Sequence, residues 1–182
     1  MTVSTLMTGK SPSTSFAGVA NNDDFVLAVY TGTISGNTTP SVGDYTVVQG
    51  GITAVESALN PETKESNYIR QGKVTNKTGN QRTFNVTGDR MHGDAFQDWA
   101  LAAAVAYGTG SGIVVPYVWF SVLTGQGEQG SVAVIVNSDG SGEAGATAEI
   151  DIDLMATGTP TAYTYSSGSG GSGSGSGGSG EG

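Results

Sequence analysis

"AEIDIDLMATG", from Ala148 to Gly158, sets Glu149, Asp151 and Asp153 at every second position, with Ile150, Ile152 and Leu154 between them. A period of two belongs to a β-strand, whose successive side chains point to opposite faces. The stretch therefore reads as a strand with an apolar face for a core and an acidic face away from it. Three uses of the carboxylates follow: a metal site, a catalytic acid pair or a solvated wall. Neighbours on one strand face stand about 6.5–7 Å apart. That is too far for all three to share one calcium at about 2.4 Å without oxygens from another strand. It suits paired glycosidase acids, which stand about 5–9.5 Å apart, but the adjoining Ala, Thr, Gly and Met residues offer no aromatic to stack on a sugar. On the residues alone, a solvated strand face is the simplest reading.

Working outward, the same period recurs. "DFVLAVYTGT" (Asp24 to Thr33) is a β-rich apolar run, and "YTVVQGGITAVES" (Tyr45 to Ser57) holds two short strands split by Gly50 and Gly51. "SNYIRQGKVTNKTGNQRTFNVTG" (Ser66 to Gly88) predicts two strands around a turn at Lys77-Thr78-Gly79-Asn80, where Gly79 and Asn80 tolerate positive φ. "SVAVIVN" (Ser131 to Asn137) is expected to pair with the opening strand through "SDGSGEA". "GIVVPYVWFSVLTG" (Gly112 to Gly125) is a long strand in which Pro116 cannot donate to a ladder, which predicts an edge or a bulge. One segment breaks the pattern. "GDAFQDWALAAAVAYG" (Gly93 to Gly108) is alanine-rich, with Phe96, Trp99, Ala103 and Tyr107 near helical spacing, a cap at Asp94 with Gln97 three residues on, and a stop at Gly108. The expected fold is mainly β, an antiparallel β-sandwich or barrel with one flanking α-helix, over residues 1–165. Residues 166–182 contain only Ser, Gly and one Glu; they cannot form a packed core and read as a disordered tail or an engineered linker.

Bulk properties narrow the function. A chain of 182 residues without cysteine holds one domain and excludes disulfide and thiolate chemistry. The opening residues have neither a basic start nor an apolar run, and nothing later approaches the ~20 apolar residues of a membrane span. A soluble protein made in a cytoplasm is expected, without a membrane partner. A net charge of −9 argues against general nucleic-acid affinity, which needs Lys and Arg to displace counterions from phosphate. The charge is unevenly spread. Lys64, Arg70, Lys73, Lys77, Arg82 and Arg90 fall in the middle, while no Lys or Arg follows Arg90 and acids dominate the second half.

Motifs for chemistry are largely removed on inspection. "TGKS" (Thr8 to Ser11) lacks the upstream glycine of a phosphate-binding loop. "GTGSG" (Gly108 to Gly112) follows the predicted helix and precedes a strand, the reverse of the dinucleotide-binding order. His92 is the sole histidine and has no serine elbow to serve as base. One histidine and no cysteine make a zinc site an unsuitable expectation, and no cofactor is implied.

The order of elements is informative. The succession "GGITAVESALNPETKESNYIRQGKVTNKTGNQRTFNVTG", "GDAFQDWALAAAV", "IVVPYVWF" and a closing hairpin that ends "ATAEIDIDLMATGTPTAY" resembles the major tail tube proteins of long-tailed, siphovirus-type bacteriophages, over roughly Gly50 to Tyr165. The resemblance implies a structural protein rather than an enzyme. Copies would form hexameric rings with a continuous inner β-barrel, and the rings would stack into a virion tail tube assembled in the host cytoplasm. Tail terminator, tape-measure and distal tail proteins are then the implied partners, and double-stranded DNA would pass through without specific binding. The implied bore wall is acidic, with Glu149, Asp151 and Asp153 as its candidates, because carboxylates repel a polyanion that Lys and Arg would hold. In the same picture Arg70, Lys73, Lys77 and Arg82 belong to a hairpin that reaches the next ring and meets acids such as Asp139 or Glu143, giving registry more than affinity. Affinity would come from strand pairing along exposed edges, one of them near Pro116. Two other classes stay open: a monomeric β-sandwich binding module, for carbohydrate or a surface ligand, using Tyr117, Trp119 and Phe120, and a hydrolase using the acidic face.

Overall fold

The computed structural model describes residues 1–33 and 40–166; the expected Ser/Gly tail lies, beyond Ser166, outside the described residues. In chain order the elements are α1 (Val3–Met7), β1 (Phe25–Val29), β2 (Thr46–Val47), β3 (Ile52–Ala58), β4 (Pro61–Tyr68), β5 (Gly72–Asn80), β6 (Thr83–Asp89), α2 (Ala95–Ala100), α3 (Ala103–Ala106), β7 (Val114–Ser121), β8 (Gln126–Ser141), β9 (Glu149–Ala156) and β10 (Thr161–Thr164). One antiparallel sheet runs in the order β2-β1-β7-β8-β9-β6-β3. At 16 residues β8 outreaches β9, and β10 takes the vacated flank by pairing Thr161 to Thr164 with Gln129 to Gln126. A separate ribbon is made of β4 and β5 alone. Among the described residues, no helix is long and apolar enough to cross a membrane.

Strand alternation gives this sheet two faces of unequal cover. Leu27 and Val29 of β1, Tyr117 of β7, Phe84 and Val86 of β6, and Ile150, Ile152 and Leu154 of β9 share the first face. Phe96, Ala100 and Val105, from α2 and α3, close over them. Each large apolar side chain buried there contributes about 1.5–3 kcal/mol, so this layer dominates stability. On the second face, Val26, Ala28, Val118 and Phe120 pack under Val3 and Met7 of α1 and against Tyr163 and Tyr165. Burial raises the phenol pKa values of Tyr45 and Tyr163, both to about 12, with Tyr30 adding to the first and Tyr165 to the second. That cover stops at β7. Over β9, β6 and β3 the second face carries only half-buried and exposed residues.

The mainly β, antiparallel class expected from the sequence is the one that forms, with three differences inside it. First, the flanking helix is broken. Asp94 accepts from the N–H groups of Phe96 and Gln97 and starts α2 as expected, but Ala102 turns extended (ψ 141°) and a new turn, α3, begins at Ala103. An unbroken helix at 100° per residue would carry Val105 roughly 180° away from Phe96. The break returns Val105 to the core. Second, the ribbon turns at Ile69-Arg70-Gln71, between the paired Tyr68 and Gly72, and not at residues 77–80. Arg70 and Gly72 take positive φ there, 70° and 75°. The glycine signal at Gly79 belongs to a bulge, where the register steps from Glu62↔Gly79 to Thr63↔Lys77 and leaves Thr78 unpaired. Third, Pro116 sits in an interior strand, because β7 is paired with β1 and β8. The β1 ladder ends at Val29↔Tyr117, and the Pro116 carbonyl accepts the Tyr30 N–H at 2.9 Å. Its ring nitrogen faces the same side, so the proline ends the ladder with β1 there and takes no donor from the ladder with β8. The outer strands are β2 and β3.

Candidate assembly surfaces

The polar part of the second face is built around Asp151 and Asp153. Register places Thr87 and Asn85 of β6 beside them on one side, and Ser138 and Ile135 of β8 on the other. Asn85 Nδ2 donates to Asp151 Oδ1 and Asp153 Oδ1, both at 2.8 Å. From the other flank Asn137 Nδ2 donates to Asp153 Oδ2 at 2.7 Å and to Asp151 Oδ1 at 3.4 Å. Two amides thus hold two carboxylates in place without neutralising them. Glu149 lies exposed at the end of the row, and Glu56 of β3, opposite Asn85, extends it across the sheet. Among the described residues none of these four acids is in an ion pair. Nor does any group of three His, Cys, Asp or Glu there suit a metal ion. Alternation had indicated the three β9 acids. Glu56 and the asparagines were missed, although asparagine inside a strand, where it is disfavoured, is a usable signal.

The ribbon carries Lys64, Arg70, Lys73 and Lys77. Arg70 is at its tip, next to Ile69, which is 92% exposed. Lys73 meets Glu65 of its own ribbon at 2.7 Å, with both side chains more than half exposed, a contact worth about 0–1 kcal/mol. Lys77 is exposed opposite Thr63. Asp139, near the end of β8, and Glu143, in the loop after it, are also exposed. No residue from Pro61 to Asn80 is buried.

Arg82 departs from the sequence reading. It is not on the ribbon but just past its base, 7% exposed, where it cannot reach a neighbouring molecule. Its Nε donates to Glu128 Oε1 at 2.6 Å, and its guanidinium lies 4.4 Å from the Phe84 ring centre and 6.0 Å from that of Trp119. The Tyr117 hydroxyl donates to the same Glu128 oxygen at 3.1 Å. Burial, then the Glu128 charge and that hydrogen bond, push the Tyr117 phenol far up, with Arg82 opposing. The same geometry corrects the binding-module alternative. Tyr117 and Phe120 are fully buried, and Trp119 stacks on Phe25 at 5.2 Å, so the three offer no platform for a sugar.

A second buried polar centre was also missed. Gln97, fully buried, donates from Nε2 to the carbonyls of Gly50 (2.6 Å) and Asp89 (2.9 Å), and its Oε1 accepts from Met91 N (2.7 Å) and Arg90 (3.2 Å). This ties α2 to the chain entering β3 and to the chain leaving β6, which meet at one end of that antiparallel pair. Beside it Arg90 meets Asp98 at 2.6 Å. Those hydrogen bonds, from Arg90 first and then the Gly93 N–H, hold the Asp98 carboxyl below its ordinary range. His92 is exposed in the turn before α2.

The fold, an antiparallel sheet with short helices roofing one face and a separate two-stranded ribbon, is similar to that of chains in solved tail and tail-like particles. A chain of the tail of the empty gene transfer agent particle, refined helically with C6 symmetry, matches 81% of this chain over its own full length, at 16% identity and a TM-score of 0.53. A chain of the native gene transfer agent virion matches 80% over its full length, at 14% identity and 0.51. The tube-terminating cap of the anti-feeding prophage matches 83% over 95% of its length, at 14% identity and 0.50. At such identities the likeness is one of fold. No protein-family model and no curated protein sequence matches the chain.

Proposed function

We propose that this chain is the repeating structural subunit of a long-tailed, phage-like tail tube, with no catalytic role. Six copies close into a ring, rings stack into a tube, and the polar part of the second sheet face lines the bore that double-stranded DNA traverses. The observation that carries the reading is the unequal cover of the sheet. In a chain with the fold of tail-tube subunits, one face is roofed along its length, whereas the other leaves Asp151, Asp153, Glu149 and Glu56 in the open with amides as their partners. Repeated around a ring, that row makes a wall with carboxylates and no Lys or Arg. Counterion-releasing contacts, which give proteins their grip on DNA, cannot form on it.

Ring closure uses the outer edge of β3, a seven-residue strand paired on its other side with β6 and without a partner on this side among the described residues, an edge of the kind that monomeric proteins protect. Stacking uses the ribbon, whose Arg70 and Lys77 are drawn to the acidic body of a copy in the next ring, Asp139 and Glu143 being the exposed candidates. In a virion the tube ends would meet terminator and distal tail proteins, and the bore would hold a tape-measure protein before DNA enters. Negative-stain microscopy of the purified protein tests the reading: rings or tubes support it, and monomers at every concentration and ionic strength contradict it.

A further inference from the structure

The ribbon leaves the body through Leu59 and Asn60 and returns through Gln81 and Arg82. Its eight paired positions give an arm of roughly 25 Å at about 3.3 Å per residue. An isolated two-stranded ribbon is marginal in water, and none of its residues is buried against the body. Left to itself, such an arm would swing widely about its base.

The base is built against swinging. Asn60 takes left-handed φ (39°), which asparagine tolerates better than most residues. From there its Nδ2 crosses to the returning chain and donates to Gln81 O at 3.3 Å and Thr83 Oγ1 at 2.8 Å. Gln81 Nε2 donates to Ala156 O at 3.3 Å, and the Arg82 carbonyl accepts from Ala156 N at 2.8 Å. Arg82 then runs inward to Glu128 on β8. Outgoing and returning chains are thereby joined to each other, and the returning one is fixed to β9 and β8. A buried ion pair is often no more stabilising than apolar residues of similar volume, and its better-attested use is to specify one arrangement.

We infer that Asn60, Gln81 and the Arg82–Glu128 pair are positioning residues that set the direction in which the ribbon leaves the body, so that its tip meets a second copy in one orientation. The inference rests on the ribbon being the arm between copies, and its test separates the two. Because the chain has no cysteine, Gln71→Cys at the tip and Ala95→Cys on α2 provide the sole labelling sites for a pulsed electron-spin distance measurement on dilute monomer. The parent should give one narrow distribution. Asn60→Asp keeps the left-handed tolerance but exchanges the amide donor for an acceptor; Glu128→Gln keeps the size but removes the charge. Each should widen the distribution roughly two-fold, as for a segment released from its few contacts, while the melting temperature of Asn60→Asp moves little. A broad parent distribution, or unchanged width in Asn60→Asp, overturns the positioning role. Widening supports that role whatever follows, and if the widened variants still form tubes as readily as the parent, the ribbon is not the arm between rings and that reading fails instead.

Discussion

At the scale of residues, Asp151 and Asp153 show what alternation can and cannot reveal. That they share a face away from Ile150, Ile152 and Leu154 follows from period two and is legible in the sequence. That Asn85 and Asn137 hold them depends on strands more than sixty residues and some fifteen residues away, and no local pattern encodes it. The same is true of Arg82, read as a surface cation because it follows a polar ribbon, and found under Trp119 against Glu128. A bore reading makes the acids a matter of repulsion. Asp151→Lys with Asp153→Lys, on protein that still assembles, should turn tubes that ignore short duplex DNA into tubes that retain it at low salt and release it as salt rises. Co-sedimentation measures this, and tubes that still ignore DNA contradict it. The tyrosines give a pH dependence. Tyr45 and Tyr163 titrate at about 12 in the fold, and Tyr117 is raised further, against about 10 unfolded. Above pH 10 the unfolded chain loses these protons first, so the stabilisation present below pH 10 is lost as pH rises through the folded values. For buried Tyr45 and Tyr117 the slope approaches about 1.4 kcal/mol per pH unit each, and urea unfolding at pH 8 and pH 11 should show the decline.

At the scale of elements, the errors share one origin: a local signal had two structural uses. Gly79 and Asn80 look like a turn, yet the turn falls at Ile69-Arg70-Gln71 and the glycine serves a bulge. Pro116 looks like an edge, yet it occupies an interior strand at the point where the ladder with β1 ends. The alanine-rich segment looks like one helix, yet tertiary contact breaks it so that Phe96 and Val105 can both reach the core. That break is testable. Ala103 is the first helical residue of α3, and Ala102 before it already has the extended backbone a following proline requires (φ −63°, ψ 141°). Ala103→Pro should therefore be neutral or stabilise by about 0.4–1 kcal/mol in chemical unfolding. In a continuous helix the same change would cost about 3 kcal/mol.

At the scale of the whole molecule, charge separates ribbon from body. Lys64, Arg70, Lys73 and Lys77 stand against Glu62 and Glu65 on the ribbon, while the chain as a whole carries −9. An arm of opposite sign to its own body suits the body of another copy. Since nothing on the ribbon is buried, replacing Glu62 to Gly79 by a short Gly-containing turn should leave the fold's circular dichroism and its cooperative melting intact while abolishing stacked tubes; persistence of long tubes would contradict the ribbon's role. The order of strands and helices carried the tail-tube resemblance at this scale. The unequal cover of the two sheet faces did not show in the sequence, because it arises from where α1, β10 and the helical pair α2–α3 come to rest.

The most direct test is a cryo-electron microscopy reconstruction of the assembled particle, at a resolution that places strands. The account predicts a hollow tube in which β9 and β6 present Asp151, Asp153 and the amides of Asn85 and Asn137 to the central bore. Finding that row on the outer surface, or closed against Lys and Arg of an adjoining copy, would contradict it.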